Sequence, residues 1–371
     1  MIKGKSNLCK MTHLKKVLIS ICLIPIFGYA KIHTVDNNPG NGAMFKTIAS
    51  AVNAATSGDT IIVMPSVSKY DGIYLSKKIF IYSRHPFSVG VDPDRFPYTD
   101  RINFYSGSAG SKVCGFHLNP GGIDIQENNV ELSYNYLVAT YVRIQGVSNV
   151  IIANNVFVET KYHGTSVQID GSNNIIRNNY FATVSGGNFD GGRYSFILNG
   201  NSTNLIINNL FSESMSNGSN CTDGGFIFFK NCNAKIYNNI MWSNVNGRTR
   251  FDTLSSGSYY NNITYASKNK PTALSGTGNF NDTFPSFETT FSDSKPPYFN
   301  GNEDFRLKSG TVGKYAGTDS TDIGLYGANH IFSTLCKVPG VPIFEQYIVL
   351  TPIVKRGGKL KVRLIARKQE N

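Results

Sequence analysis

Paired asparagines, each led by an aliphatic run and followed by an apolar residue, recur five times in this chain. The copies are Ile152-Ala153-Asn154-Asn155-Val156, Ile176-Arg177-Asn178-Asn179-Tyr180, Ile206-Ile207-Asn208-Asn209-Leu210, Ile236-Tyr237-Asn238-Asn239-Ile240 and Tyr259-Tyr260-Asn261-Asn262-Ile263. A degenerate sixth copy is Leu132-Ser133-Tyr134-Asn135-Tyr136. The second Asn of each copy falls at 135, 155, 179, 209, 239 and 262, so the steps are 20, 24, 30, 30 and 23. A short period carried by β-rich segments specifies a solenoid in which each coil stacks on the last. Equivalent residues of successive coils then lie about 4.8 Å apart. A column of Asn at one bend forms an amide ladder and tolerates the left-handed backbone that the bend requires. Roughly ten coils are expected.

The segment from Met1 to Ala30 reads as a secretory leader. Lys3, Lys5, Lys10, Lys15 and Lys16 precede the apolar run from Val17 to Phe27, and Gly28 and Ala30 place small residues where a signal peptidase reads them. The run is short for a membrane span, so no transmembrane segment is expected in the mature chain, which begins near Lys31. A secreted, periplasmic or cell-surface location follows. The formal charge of +12 includes those five leader lysines. The remaining basic excess is concentrated beyond residue 354, where it suits an anionic partner or a solvated strand edge. Export removes nucleic acid from the expected partners. Cys114 reads as a core residue, whereas Cys221 and Cys232 flank one strand and are candidates for a disulfide.

Upstream of the repeats, Phe45, Ile48, Ala49, Val52 and Ala55 follow helical spacing, and Thr60 to Val63 reads as a strand. A helix in that place caps the open end of a solenoid. Three stretches resemble the pectate-lyase-like right-handed parallel β-helix superfamily. They are the cap from Phe45 to Val63, the Asn-pair coils, and the closing segment Asp304-Phe305-Arg306-Leu307 with Thr321-Asp322-Ile323-Gly324-Leu325-Tyr326-Gly327. The final stretch, with Pro342-Ile343-Phe344 and Gly357-Gly358-Lys359-Leu360-Lys361-Val362, resembles a tail common in exported Bacteroidetes members. The resemblance implies an all-β, right-handed parallel β-helix with an N-terminal capping helix and a short C-terminal β tail. The boundaries expected are 1–30 for the leader, 31–335 for the β-helix and 336–371 for the tail.

A fold of this kind does not name a reaction. The Asn-Thr-Asp, Asp-Asp, Gly-His-Gly and Arg-Ile-Lys signatures of polygalacturonase-like hydrolases are not found, nor are those of pectate lyases. Function is therefore sought in the longest insertions, 158–165, 182–193, 212–225 and 242–250, which leave the same edge of successive coils. With the Asn pairs as a ruler, an offset of 29 maps Gly164 onto Arg193. An offset of 30 maps Phe196 onto Phe226 and Arg193 onto Asp223, and an offset of 23 places Arg248 near the equivalent of Asp223. His163, Arg193, Asp223 and Arg248 are thereby expected near one line. They read either as catalytic groups of a lyase type, with Arg neutralising a uronate carboxylate and His163 taking a proton, or as a structural Arg–Asp ladder.

Lys161, Tyr162, Tyr194, Trp242 and Arg250 are the candidate sugar-contacting residues around those loops. Asp190 and Asp223, each in an Asp-Gly-Gly, read as calcium ligands or as turn residues. Phe157, Phe181, Phe211 and Phe228 are assigned to the core stack. Two functions remain open. One is a secreted β-helix that binds, and in a lyase or epimerase sense processes, an acidic polysaccharide; the other is a non-catalytic surface or adhesion module.

Overall fold

The computed structural model describes residues 30–371, apart from 84–95, 160–164, 186–192, 199–202, 216–225, 231–232, 244–249, 254–256, 268–269, 271–272, 293–298, 329, 338–342, 350–361 and 368–371. Each complete coil contributes three short strands, alternately apolar and polar, and each strand pairs in parallel with its counterparts in neighbouring coils. The first sheet has ten strands: Ile32–Val35, Thr60–Val63, Phe80–Tyr82, Lys112–Cys114, Glu131–Ser133, Ile151–Ala153, Ile175–Arg177, Leu205–Ile207, Lys235–Tyr237 and Ser258–Tyr260. After the Asn bend comes a second sheet of Tyr136–Val138, Val156–Glu159, Tyr180–Ser185, Leu210–Met215, Ile240–Ser243 and Ile263–Ala266. The third contains Ile73–Leu75, Tyr98–Phe104, Thr140–Gln145, Thr165–Asp170, Arg193–Leu198, Phe226–Lys230 and Arg250–Thr253. The long strand His117–Ile125 joins the second sheet to the third. This is a parallel β-helix.

Inward side chains repeat from coil to coil and fill the bore. In the first sheet Ile61, Ile81, Val113, Leu132, Ile152, Ile176, Ile206, Ile236 and Tyr259 form one buried column in successive register. In the second, Phe157, Phe181 and Phe211 stack with centroids 4.4 and 4.9 Å apart. The next position of that column is Met241, and Phe229, from the third sheet, meets Phe211 edge-on. The expected fourth member, Phe228, belongs to the third-sheet strand Phe226–Lys230 and so has no place in the second-sheet column.

Helix α1, Ile48–Ala54, closes the first coil. Thr47 caps it by accepting from the Ser50 N–H at 3.1 Å, and Asp71 accepts from the Ile48 and Ala49 N–H groups. Its buried face, Ile48, Ala51 and Val52, covers the end of the bore.

The Asn pairs divide their work. The first member of each pair, at 154, 178, 208, 238 and 261, adopts the left-handed conformation with φ between 51° and 58°. The second points inward. Asn155, Asn179, Asn209, Asn239 and Asn262 are fully buried, and each side-chain oxygen accepts the backbone N–H of the preceding ladder Asn at 2.9–3.0 Å. Each side-chain amide in turn donates to the next ladder oxygen at 3.0–3.1 Å. Asn279 terminates the ladder.

The described residues of 284–336 build no further coil, residues 274–283 having closed the last one with Asn279 on the ladder and Phe280 paired in parallel with Ile263. They run back along the outside of the β-helix and cover the outward face of the second sheet. Val156, Tyr180, Leu210, Ile240, Trp242 and Ile263 from the coils meet Phe287, Phe299, Phe305, Leu307, Ile323, Leu325 and Phe332 from this strap in a second apolar core. The first Asn of each pair clasps it. Asn261 donates to the Ala316 carbonyl, Asn238 to Thr318, Asn208 to Gly324 and Asn178 to Leu325, and Asn154 accepts from the Ser333 N–H. Gly327 passes so close to Asn208 that a Cβ would lie 2.0 Å from its amide nitrogen.

At the far end Cys336 is bonded to Cys114, with Cα atoms 6.0 Å apart. Cys114 is buried, as expected of a core residue, but in a small cluster with Tyr82 and Cys336 on the first sheet's outer face, and the bridge is what the sequence did not show. Cys221 and Cys232 lie outside the described residues. In the tail, Ile343–Val349 and Val362–Arg367 pair as an antiparallel hairpin.

Candidate functional site

Among the described residues the strap packs on the second sheet, whereas Tyr74, Arg101 and Arg143 on the outward face of the third sheet's N-terminal half are exposed or partly exposed. There the residue between two inward aliphatics is polar in each coil: Tyr74, Asn103, Asp124, Arg143 and Gln168 occupy one column in register. A second column contains Arg101, Gly122 and Tyr141. The Tyr141 ring lies across Gly122; a Cβ there would meet the ring and hydroxyl at 2.5 Å and push the ring aside.

These residues form a connected flat surface. The Arg101 guanidinium donates to the Tyr141 hydroxyl at 3.0 Å and to the Asp124 carboxylate at 3.3 Å. The Arg143 guanidinium lies 4.2 Å from the Tyr141 ring centroid, with its Nε 4.0 Å from Asp124. Gln145 donates to Asp124 at 3.1 Å, and Gln126 donates to Gln145 at 3.0 Å. Asp124 is largely shielded while both guanidiniums remain partly open to solvent. Partial burial works against the Arg101 charge, but the Tyr141 hydrogen bond and the Asp124 carboxylate outweigh it and hold its pKa above the ordinary value.

Beside the cations, Tyr74 and Tyr105 lie nearly parallel, 7° apart with centroids separated by 6.5 Å, and are 50% and 37% exposed. Asn103 donates to the Tyr105 hydroxyl at 2.7 Å. The face thus offers aromatic surface, two cationic forks and several amides. Such a set suits a flat polyhydroxylated anion.

The residues named from the insertions fare unevenly. Lys161, Tyr162, His163, Asp190, Asp223 and Arg248 lie outside the described residues. Arg193, Tyr194 and Arg250 are on third-sheet strands, continuing towards the C-terminus the sheet that carries the polar face. The offsets of 29 and 23 hold, since Thr165 pairs with Tyr194 and Ile227 with Arg250. The offset of 30 does not: Arg193 pairs with Phe226 and Phe196 with Phe229, a shift of 33. The step at the Asn bend is unchanged there, but three residues move from the turn after the third-sheet strand into the loop before it. Trp242 is also corrected. It is 0% exposed and packed against Phe284, Phe287 and Phe291 under the strap, so it presents no face to a sugar.

Among the described residues no group of three or more His, Cys, Asp or Glu is placed to hold a metal ion. No described helix is long and apolar enough to cross a membrane. One buried ionisable group lies apart from the open face. His117, 6% exposed, stacks 4.2 Å from Tyr98 and meets Tyr136 and Phe96 edge-on. Neither ring nitrogen has a hydrogen-bond partner among the described residues, and burial lowers its pKa to about 4.

No protein-family model matches the sequence, and no curated protein does. A search of solved structures finds pectate lyase Pel9A, at 16% identity and a TM-score of 0.33, covering 81% of this chain and 97% of that one. The fold itself is read from the coils: parallel sheets wound round one bore make a parallel β-helix.

Proposed function

We propose that the open face of the third sheet binds an acidic polysaccharide outside the cytoplasm. The observation that carries this reading is the pair of partly exposed guanidiniums, Arg101 and Arg143, flanking a shielded carboxylate beside two exposed tyrosine rings. The coil rise of about 4.8 Å is close to the length of one sugar unit, so a chain lying along the axis meets equivalent positions in successive coils. Arg forks pair with carboxylates in two parallel hydrogen bonds, and tyrosine faces suit the C–H faces of pyranose rings. The disulfide between Cys114 and Cys336 and the leader-like segment ending at Ala30 support an exported protein.

Processing of the same glycan, in the lyase or epimerase sense, would fall to His163, Asp223 and Arg248 from the insertions and to Arg193 at the start of its strand. The experiment is a binding panel of polygalacturonate, alginate, a sulfated glycan and neutral glucans, at low and high salt, with and without calcium. Binding should favour the carboxylated chains, weaken with salt and fall about tenfold in Arg143→Ala and in Tyr74→Ala. Equal binding by both variants, or no binding to any anionic chain, would refute the assignment. New unsaturated ends in the same incubations distinguish a lyase from a module that only binds.

A further inference from the structure

Asp59 is an unusual residue to find at the first coil: its carboxylate is 1% exposed, yet it is not matched by a permanent side-chain cation among the described residues. Four donors converge on it. The Lys31 backbone nitrogen donates to Oδ1 at 2.8 Å, and the Thr56 N–H and hydroxyl reach Oδ2 at 2.8 and 3.0 Å. His33 Nε2 lies 3.0 Å from Oδ2. Burial opposes the charge, but the Lys31 and Thr56 donors overcome it and hold the carboxyl well below the usual carboxylate range. Lys31 is also where the strand Ile32–Val35 enters the first sheet, its carbonyl accepting from the Thr60 N–H at 2.8 Å. The residue immediately before it, Ala30, closes the leader-like segment and is exposed.

We infer that the chain is cut between Ala30 and Lys31, and that the α-ammonium group so created is received by Asp59. Hydrolysis of that peptide bond adds water, leaving the carboxylate on Ala30 and the protonated amine on Lys31. The neutral amide N–H that now faces the buried carboxylate is thereby replaced by a full positive charge on the same nitrogen. A charge-assisted bond is about twice as strong as a neutral one, and burial at Asp59 limits screening by solvent. The added stabilisation acts on the strand that begins the first sheet. Before the cut this terminal strand is held by neutral donors, and after it by an ion pair, so removal of the leader itself tightens the start of the solenoid.

The sign with pH follows. The amine gains a partner on folding, so its folded pKa is raised above the ordinary α-amino range of about 7.7–8.0. The added protection is complete below that range and is lost as pH rises through the raised value.

The test has two arms. The exported protein is isolated and its N-terminus determined by intact mass and sequencing; Lys31 is expected, and any other N-terminus overturns the processing claim. Hydrogen exchange of the amides of residues 32–35 is then compared between the chain beginning at Lys31 and a chain retaining Gly28-Tyr29-Ala30. About tenfold slower exchange is expected in the former at pH 6.5, with the difference shrinking at high pH and absent when both carry Asp59→Asn. Equal exchange at pH 6.5, or a difference that survives Asp59→Asn, overturns the ion pair. Exchange in residues 151–153 should match in both chains, which excludes a global change of stability.

Discussion

Replacing Asn209 by Ala tests the inward ladder at its middle. The Asn209 amide donates to the Ile176 and Ile207 carbonyls and to Asn239 Oδ1, and its oxygen accepts both the Asn179 backbone N–H and the Asn179 side-chain amide. Several of those partners keep another bond after truncation. The Asn239 oxygen retains the Asn209 N–H, the Asn179 amide retains Ile152 and Arg177, and the Ile207 carbonyl retains the Asn178 N–H. What is lost outright is the acceptor for the buried Asn179 N–H, together with side-chain donors to the Ile176 and Ile207 carbonyls. An orphaned buried group costs about 1–3 kcal/mol and a lost bond about 1 kcal/mol, so Asn209→Ala is expected to destabilise by about 3–5 kcal/mol.

Its neighbour provides the control. Asn208 has φ of 55°, which glycine adopts freely, and its side chain reaches only the strap, at 3.2 Å to the Gly324 carbonyl and 3.5 Å to that of Asp322. Asn208→Gly should therefore cost about 1 kcal/mol. Urea unfolding followed by far-UV circular dichroism reports the coils, and the fluorescence of the single tryptophan, Trp242, reports the strap that covers it. Asn209→Ala should shift both transitions, whereas Asn208→Gly should shift the fluorescence transition more. A loss under about 1 kcal/mol for Asn209→Ala, or a larger effect from Asn208→Gly, would refute the ladder argument.

Three further perturbations bear on separate parts of the molecule. His117 has a folded pKa of about 4 against an ordinary 6.5, so the unfolded chain takes up its proton first. Stability should be flat above pH 6.5 and fall by about 3 kcal/mol down to pH 4, and His117→Phe should flatten that slope in urea titrations. Removing the Cys114–Cys336 bridge, 222 residues apart, has a chain-entropy ceiling of about 5 kcal/mol. The strap's Asn contacts persist, so Cys114→Ser with Cys336→Ser should cost about 2–4 kcal/mol, seen first in Trp242 fluorescence; no change in either transition would contradict it. Trp242→Phe should lower stability measurably while leaving glycan affinity unchanged, and a selective loss of affinity would return that residue to the binding site.

The coil architecture was legible because each coil reuses one bend, and the bend's requirements are local. A left-handed residue followed by an inward amide can be met by Asn-Asn in almost any coil, so the signature survives while other positions vary. The same property limits it as a ruler. The pair reports register at the bend it occupies and is blind to residues exchanged between the far turn and the far loop, which is how Arg193 came to be aligned with Asp223 instead of Phe226. Trp242 looked like a loop residue because nothing local reveals that a segment well downstream will cover it. Cys114 likewise meets its partner only through the strap's return path. The polar face of the third sheet was readable in principle. In Ile123-Asp124-Ile125 and Val142-Arg143-Ile144 the charged residue between two inward aliphatics must face outward. Those residues lie within strands, and no long insertion marks them.

The strap also acts as a gauge for the number of coils. Its residues meet coils in reverse order, 316 at Asn261, 318 at Asn238, 324 at Asn208, 325 at Asn178, 333 at Asn154 and 336 at Cys114. A free solenoid grows by duplicating a coil, since each turn needs only its neighbours. Here a duplicated coil between 114 and 261 would lengthen one edge by about 4.8 Å and leave every later clasp one step out of phase with a cable tied at its end. A residue added to a loop leaves the spacing of the clasps unchanged, whereas a turn added beneath the strap does not.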